Sequence, residues 1–212
     1  MPVLAVYRST IDLVQVQLVR KAVLLAVVFA CFLLLVLGES YWPSGEAVHE
    51  TIEWVGIGLI VACIIGRTWC SIYIGGRKIY ELVTLGPYSI SRNPLYFFSI
   101  VGAAGAGAQL GSLGLAAAAG FLAYLVFYVV VQKEERVLAT NYGSEYRQYL
   151  ATVPRFLPAI SLWRDAASLE VRPALVRRTF IDACVFLLAI PLAEGFEYLH
   201  ETGFLPTLLH LP

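Results

Sequence analysis

"LYFFSIVGAAGAGAQLGSLGLAAAAGFLAYLVFYVVV" occupies Leu95–Val131. It is too long for one bilayer crossing, which takes about 20 apolar residues. "AQLGSLG" (Ala108–Gly114) interrupts it with Gln, Ser and Gly. The stretch therefore predicts two helices joined by a tight turn inside a membrane. Within it, "GAAGAGAQLG" (Gly102–Gly111) has the glycine spacing of a dinucleotide loop. Such a loop follows a strand and opens a helix, and this one lies within an apolar helical run. Ala103, Gly107 and Gly111 sit four apart, a spacing that predicts close helix packing.

Outward from the hairpin, the rest of the chain has the same character. The 212 residues are 59% hydrophobic, only 14% are charged, and the mean hydropathy is +0.74. A soluble domain carries about 25% charged residues. The chain reads as an all-α, polytopic membrane helix bundle with about five transmembrane helices. Span 1 is roughly Ala22–Leu37, span 2 roughly Ile52–Trp69, spans 3 and 4 are the hairpin, and span 5 is roughly Phe180–Leu199, kinked at Pro191. Residues 1–18 alternate apolar and polar residues around Arg8 and Asp12, which suits an interfacial helix. No cleavable signal peptide is visible before span 1.

Lys and Arg set the orientation. Three precede span 1, four lie between spans 2 and 3 (Arg67, Arg77, Lys78, Arg92), and eight lie between Gln132 and Thr179. None lies in Gly38–Thr51 or after Arg178. Five spans with a cytoplasmic N-terminus put every cation on the cytoplasmic side and the C-terminus opposite. The formal net charge is zero, so no basic face argues for nucleic acid. The cysteines (31, 63, 70 and 184) show no C-x-x-C spacing, and the three histidines are scattered, so no metal site is expected.

Two cytoplasmic segments are too polar for lipid and too rich in Gly, Pro and Tyr for plain linkers. In "LGPYSISRNPLYFFS" (Leu85–Ser99), Asn93 and Pro94 favour a helix start. Asn93 either caps that helix or binds a ligand. The free N–H groups there, with Arg92 alongside, suit a carboxylate or phosphate, and Tyr88 and Tyr96 add aromatic faces. In "VVVQKEERVLATNYGSEYRQYLATVPRFLP" (Val129–Pro158), Glu134 and Glu135 would oppose the helix dipole if the helix ended there. The helix is therefore expected to continue to about Tyr142 and stop at Gly143. "SEYRQYLATVP" then reads as a second short helix ending before Pro154. The two acids suit a solvated face or a bound cation: an amine, a sulfonium or a metal.

Together the two stretches resemble the isoprenylcysteine carboxyl methyltransferase family and related membrane phospholipid methyltransferases. Gly86, Tyr88, Arg92, Asn93, Pro94 and Tyr96 match the family's first motif. Glu134, Glu135, Leu138, Tyr142, Gly143, Tyr146, Tyr149, Val153 and Pro154 match its second. The resemblance covers roughly Tyr73–Pro158. It implies S-adenosylmethionine as cofactor, held by Tyr73, Tyr80, Glu81, Leu82, Val83, Tyr88, Asn93, Pro94, Leu95, Tyr96 and Glu134. Arg92 and Glu135 are the catalytic candidates, Glu135 as the base for a thiol or amine acceptor that must lose a proton. The methyl acceptor would be lipophilic and enter from the bilayer: a prenylcysteine-like carboxylate, a lipid amine or a small thiol. Two positions depart from the family, Asn93 where His is usual and Val130 where carboxyl-methylating members place Arg.

Three segments follow: 1–72 with the interfacial helix and first two spans, 73–158 as the methyltransferase-like core, and 159–212 with one further span. Membrane sterol reductases, which use NADPH, have a similar layout, though 212 residues are short for them. A non-catalytic membrane scaffold is the third alternative.

Overall fold

The computed structural model describes residues 38–74, 82–204 and 209–211. The expected interfacial helix and span 1 lie outside these residues. A short strand β1 (Gly38–Ser40) leads into α1 (Ala47–Ile74). A one-turn helix α2 (Pro87–Ile90), then α3 (Pro94–Ala108) and α4 (Leu113–Thr152) follow. A 3-10 turn at Ile160–Leu162 precedes α5 (Pro173–Cys184). A second 3-10 turn (Val185–Leu188) joins α5 to α6 (Ala189–Glu201), and β2 (Leu209–Leu211) pairs in parallel with β1.

The described residues are thus all-helical apart from that strand pair. Among them, three stretches are long and apolar enough to cross a membrane: Ala47–Ile74, Leu113–Thr152 and Pro173–Glu201. They correspond to expected spans 2, 4 and 5. Expected span 3 is α3, a shorter apolar helix of 15 residues. At 1.5 Å per residue it is about 22 Å long, against about 30 Å of hydrocarbon. Large apolar side chains face outward along the long helices, among them Val61, Ile65, Phe121, Leu125, Val129, Ile181 and Leu192. In water such a surface would be unstable; against lipid it is the expected one.

The hairpin turns where its sequence breaks. Gly111 has φ +60°, and the Ser112 side chain accepts the Leu115 N–H to start α4. The glycines pack helices closely, and on two faces. A Cβ on Gly105 would lie 2.7 Å from the Gly56 carbonyl on α1, and one on Gly102 would lie 2.5 Å from the Cys63 sulfur. Gly107 faces α4 instead, at Leu115 and Ala119. Gly111 serves the turn. Buried Gln109 ties the end of α3 to α1 by donating to the Glu53 carbonyl at 3.1 Å.

The last span changes its helical geometry just before its proline. Pro191 has no N–H to give to the turn before it, and the four residues Val185–Leu188 tighten into 3-10 geometry there.

Candidate functional site

Gly143 has φ +53° and ψ −117°, so α4 breaks there into a long arm and a short one that ends at Thr152. The break turns the short arm back over α2. The Tyr149 hydroxyl then donates to the Tyr88 carbonyl at 2.6 Å. Beyond α4 the chain runs along α2 as a strap. The Arg92 N–H donates to the Pro154 carbonyl, Ala159 N–H to Ile90, and Gly86 N–H to Arg164. Ser91 Oγ donates to the Phe156 carbonyl at 2.9 Å, and Ser89 Oγ accepts the Arg164 N–H. Gly86 has φ +60°, and a Cβ there would run into the Tyr73 ring, so the close approach needs glycine.

This clasp encloses a cavity of about 130 Å³ between the two motif stretches. Of the residues the resemblance implies, Leu82, Val83, Tyr88, Asn93, Leu95, Tyr96 and Glu134 line it, with Arg92 and Glu135. Two others sit behind its walls. Tyr73 packs with Cys70 and Tyr88 and donates its hydroxyl to Asp165 at 2.7 Å. Pro94 is buried in the first turn of α3. Tyr80 and Glu81 lie outside the described residues. Ile74, Leu138, Tyr146 and Tyr149 complete the lining and were not among the candidates. Leu138, Tyr146 and Tyr149 had a signal, since the second motif holds all three; Ile74 had none.

Asn93 does not cap α3 with its side chain. Its amide Nδ2 donates to the Arg155 carbonyl at 3.2 Å, and only its backbone carbonyl opens the helix, accepting from Tyr96 and Phe97. The cap expected from sequence is thus replaced by a tether to the strap.

The two acids have different surroundings. Glu134 accepts the Tyr96 hydroxyl at 2.9 Å. Glu135 is buried, and both its oxygens are engaged. Oε1 faces Arg92 Nη1 at 3.3 Å and Arg155 Nε at 3.2 Å, and Oε2 faces Arg155 Nη2 at 2.8 Å. That hydrogen bond raises Arg155 above its ordinary pKa. Two guanidiniums thus hold this carboxylate in a fixed geometry. Arg155 was missed in sequence because nothing in "VPRF" shows that the strap returns to α4. Val130, at the departure from the family pattern, is buried against Tyr96, Val131 and Phe156.

Among the described residues, two polar atoms of the lining are buried without a hydrogen-bond partner, the Tyr88 hydroxyl and Arg92 Nε. Burial pushes the Tyr88 phenol well above its ordinary pKa, so it remains a protonated donor. Such orphaned groups cost about 1–3 kcal/mol each unless something satisfies them.

The family model described as phospholipid methyltransferase matches residues 51–145. The chain belongs to that family. Both acids and the Arg92–Tyr96 wall fall within the match. The chain is also similar to two curated proteins named for metal resistance. The nickel-cobalt-cadmium resistance protein NccN of Alcaligenes xylosoxydans xylosoxydans is 33% identical over 88% of this chain and 86% of its own length. The cobalt-zinc-cadmium resistance protein CzcN of Cupriavidus metallidurans is 33% identical over 84% of this chain and 81% of its own. Both alignments run far beyond the family core, so these relatives share much of what surrounds it. No solved structure matches the chain. Family and apolar helices together make this an integral membrane protein of a methyltransferase family.

Proposed function

We propose that the protein transfers a methyl group from S-adenosylmethionine to a lipophilic acceptor, with the cavity between α3 and the arms of α4 as the cofactor site. The observation that carries this reading is the buried Tyr88 hydroxyl, a donor without a partner on the wall of a cavity that both motif stretches build. The residues present fit the cofactor. Glu134 is an acceptor for its amino group. Arg92 Nε is a donor for its carboxylate. Tyr88 donates to a remaining polar atom, and Tyr96 and Tyr146 offer faces to a ring or a sulfonium.

Bound there, the cofactor supplies a methyl group already activated on a positive sulfur. What the protein adds is alignment and the exclusion of water. Glu135, pinned by Arg92 and Arg155, fixes the wall on which Glu134 and Arg92 stand. It is a positioning residue in this reading, which leaves Glu134 as the acid nearer to a reacting proton. Val130 offers no cation to a carboxylate acceptor, so an amine or thiol fits better than a prenylcysteine-like carboxylate. The acceptor reaches the cavity from the bilayer. The cavity end carries Arg92, Lys133, Arg136, Arg147, Arg155 and Arg164, so by the distribution of positive charge we place it at the cytoplasmic face. The relatives' names suggest the setting, a cell exposed to toxic divalent metals.

Calorimetric titration of the detergent-purified full chain with S-adenosylmethionine, and separately with NADPH, tests the cofactor. Binding of S-adenosylmethionine alone is expected; binding of NADPH alone overturns the reading in favour of a reductase. Transfer of labelled methyl into a total lipid extract then identifies the acceptor.

A further inference from the structure

At the far end of α1 from the cavity lies a second cluster of polar side chains. His49 is 3% exposed. Its Nδ1 is 3.0 Å from the Trp42 carbonyl, which can only accept, so Nδ1 carries a proton. Its Nε2 faces two carboxylates, Glu197 Oε1 at 3.1 Å and Glu53 Oε1 at 3.4 Å. Glu53 lies one turn along α1, and Glu197 comes from α6. The three ligand atoms lie within 4.8 Å of one another.

We propose that His49, Glu53 and Glu197 form a binding site for a divalent transition-metal ion such as zinc or cobalt.

The spacing is the first reason. Ligands about 2.0–2.2 Å from a tetrahedral ion stand about 3.3–3.6 Å apart, close to the two distances from His49 to its acids. The chemistry is the second. An imidazole with two carboxylates suits zinc and its first-row neighbours. A ring nitrogen given to a backbone carbonyl is the usual outer partner that orients a metal-binding histidine.

Charge is the third reason. No Lys or Arg occurs in residues 38–66 or 179–212, which hold Asp182 and seven glutamates, Glu53 and Glu197 among them. All three histidines of the chain fall in these same two segments. A second proton on Nε2 would neutralise one of the two facing acids; a divalent ion would neutralise both. The place is also built. A Cβ on Gly111 would lie 2.1 Å from the His49 ring, so the turn that joins α3 to α4 clamps the imidazole. His49 and Glu197 open on a cavity of about 190 Å³, which His200 and Glu201 also line, one turn further along α6. The site thus has a rigid ring, two acids from separate helices, and room for a water or a further ligand.

The test uses the full chain in detergent, stripped with a chelator and titrated with cobalt(II), whose visible absorption reports its coordination. One saturable cobalt per chain is expected, displaced by zinc. Glu53→Gln and Glu197→Gln should each weaken cobalt binding by more than about 100-fold, beyond the effect of losing an outer partner. Should His49→Gln fail to fold, the two Glu variants still decide the matter. Binding of S-adenosylmethionine is followed in the same samples and should be unchanged, because this site stands apart from the cofactor cavity. No saturable cobalt uptake, or uptake equal in wild type and both Glu variants, overturns the proposal.

Discussion

Arg155 grips Glu135 with two bonds, Nε to Oε1 at 3.2 Å and Nη2 to Oε2 at 2.8 Å. The fork joins the strap to the long arm of α4 and leaves Arg92 to complete the triad. Arg155 is 32% exposed, so Arg155→Ala should cost less than the 3–5 kcal/mol of breaking a fully buried pair. We expect about 1.5–3 kcal/mol, read as a lower melting temperature in detergent. Arg155→Lys should restore only part of it, because an ammonium cannot make the fork. Equal melting of Arg155→Ala and wild type would remove the strap from the stability argument.

Tyr88→Phe separates cofactor binding from folding. The hydroxyl has no partner, so its removal should leave the stability of the ligand-free protein unchanged or slightly raised. Affinity for S-adenosylmethionine should fall by about 0.5–1.5 kcal/mol. A variant that binds as well as wild type shows that the hydroxyl does not meet the cofactor.

Glu134→Gln should weaken the cofactor by about 1.5–3 kcal/mol, the worth of a hydrogen bond to a charged group. Titration calorimetry gives the answer directly, and unchanged affinity would return Glu134 to a role in holding Tyr96.

Asn93→Ser is expected to lower stability by about 1 kcal/mol, since Ser cannot reach the Arg155 carbonyl that Nδ2 now meets. A helix cap alone would predict no change, because Ser caps about as well as Asn. Thermal melts of the two proteins side by side distinguish these outcomes.

Gly105→Ala tests the contact between α1 and α3. The new Cβ would meet the Gly56 carbonyl at 2.7 Å and the Leu59 Cβ at 2.9 Å, and backbone cannot step aside as a side chain does. A loss of about 1–3 kcal/mol is expected. Unchanged melting would mean that the helices can separate there without penalty.

The parts legible in the sequence were those written in local chemistry. Gly111 and Ser112 mark the hairpin turn, Gly143 the break in α4, and the apolar runs the long helices. The cavity was legible because two motifs with fixed internal spacing supply most of its wall. What escaped depends on the path of the chain between elements. Arg155 meets Glu135 only because the strap after Pro154 returns along α2. His49 and Glu197 are 148 residues apart, and the histidines looked scattered until α1 and α6 placed these two side by side. The one available hint was compositional, since the segments without Lys or Arg hold every histidine.

The long arm of α4 works as a depth gauge. Glu134 sits about 32 Å along the helix from Leu113, nearly the thickness of the hydrocarbon layer. By its length this arm, anchored at the hairpin turn, carries the two acids from one face of such a layer to the other. In the function proposed above, the acceptor would hold its reactive atom at headgroup level while its tail stays in oil. Bilayer thickness would then act as a control on that transfer, thin membranes lifting the acids clear of the surface and thick ones drowning them.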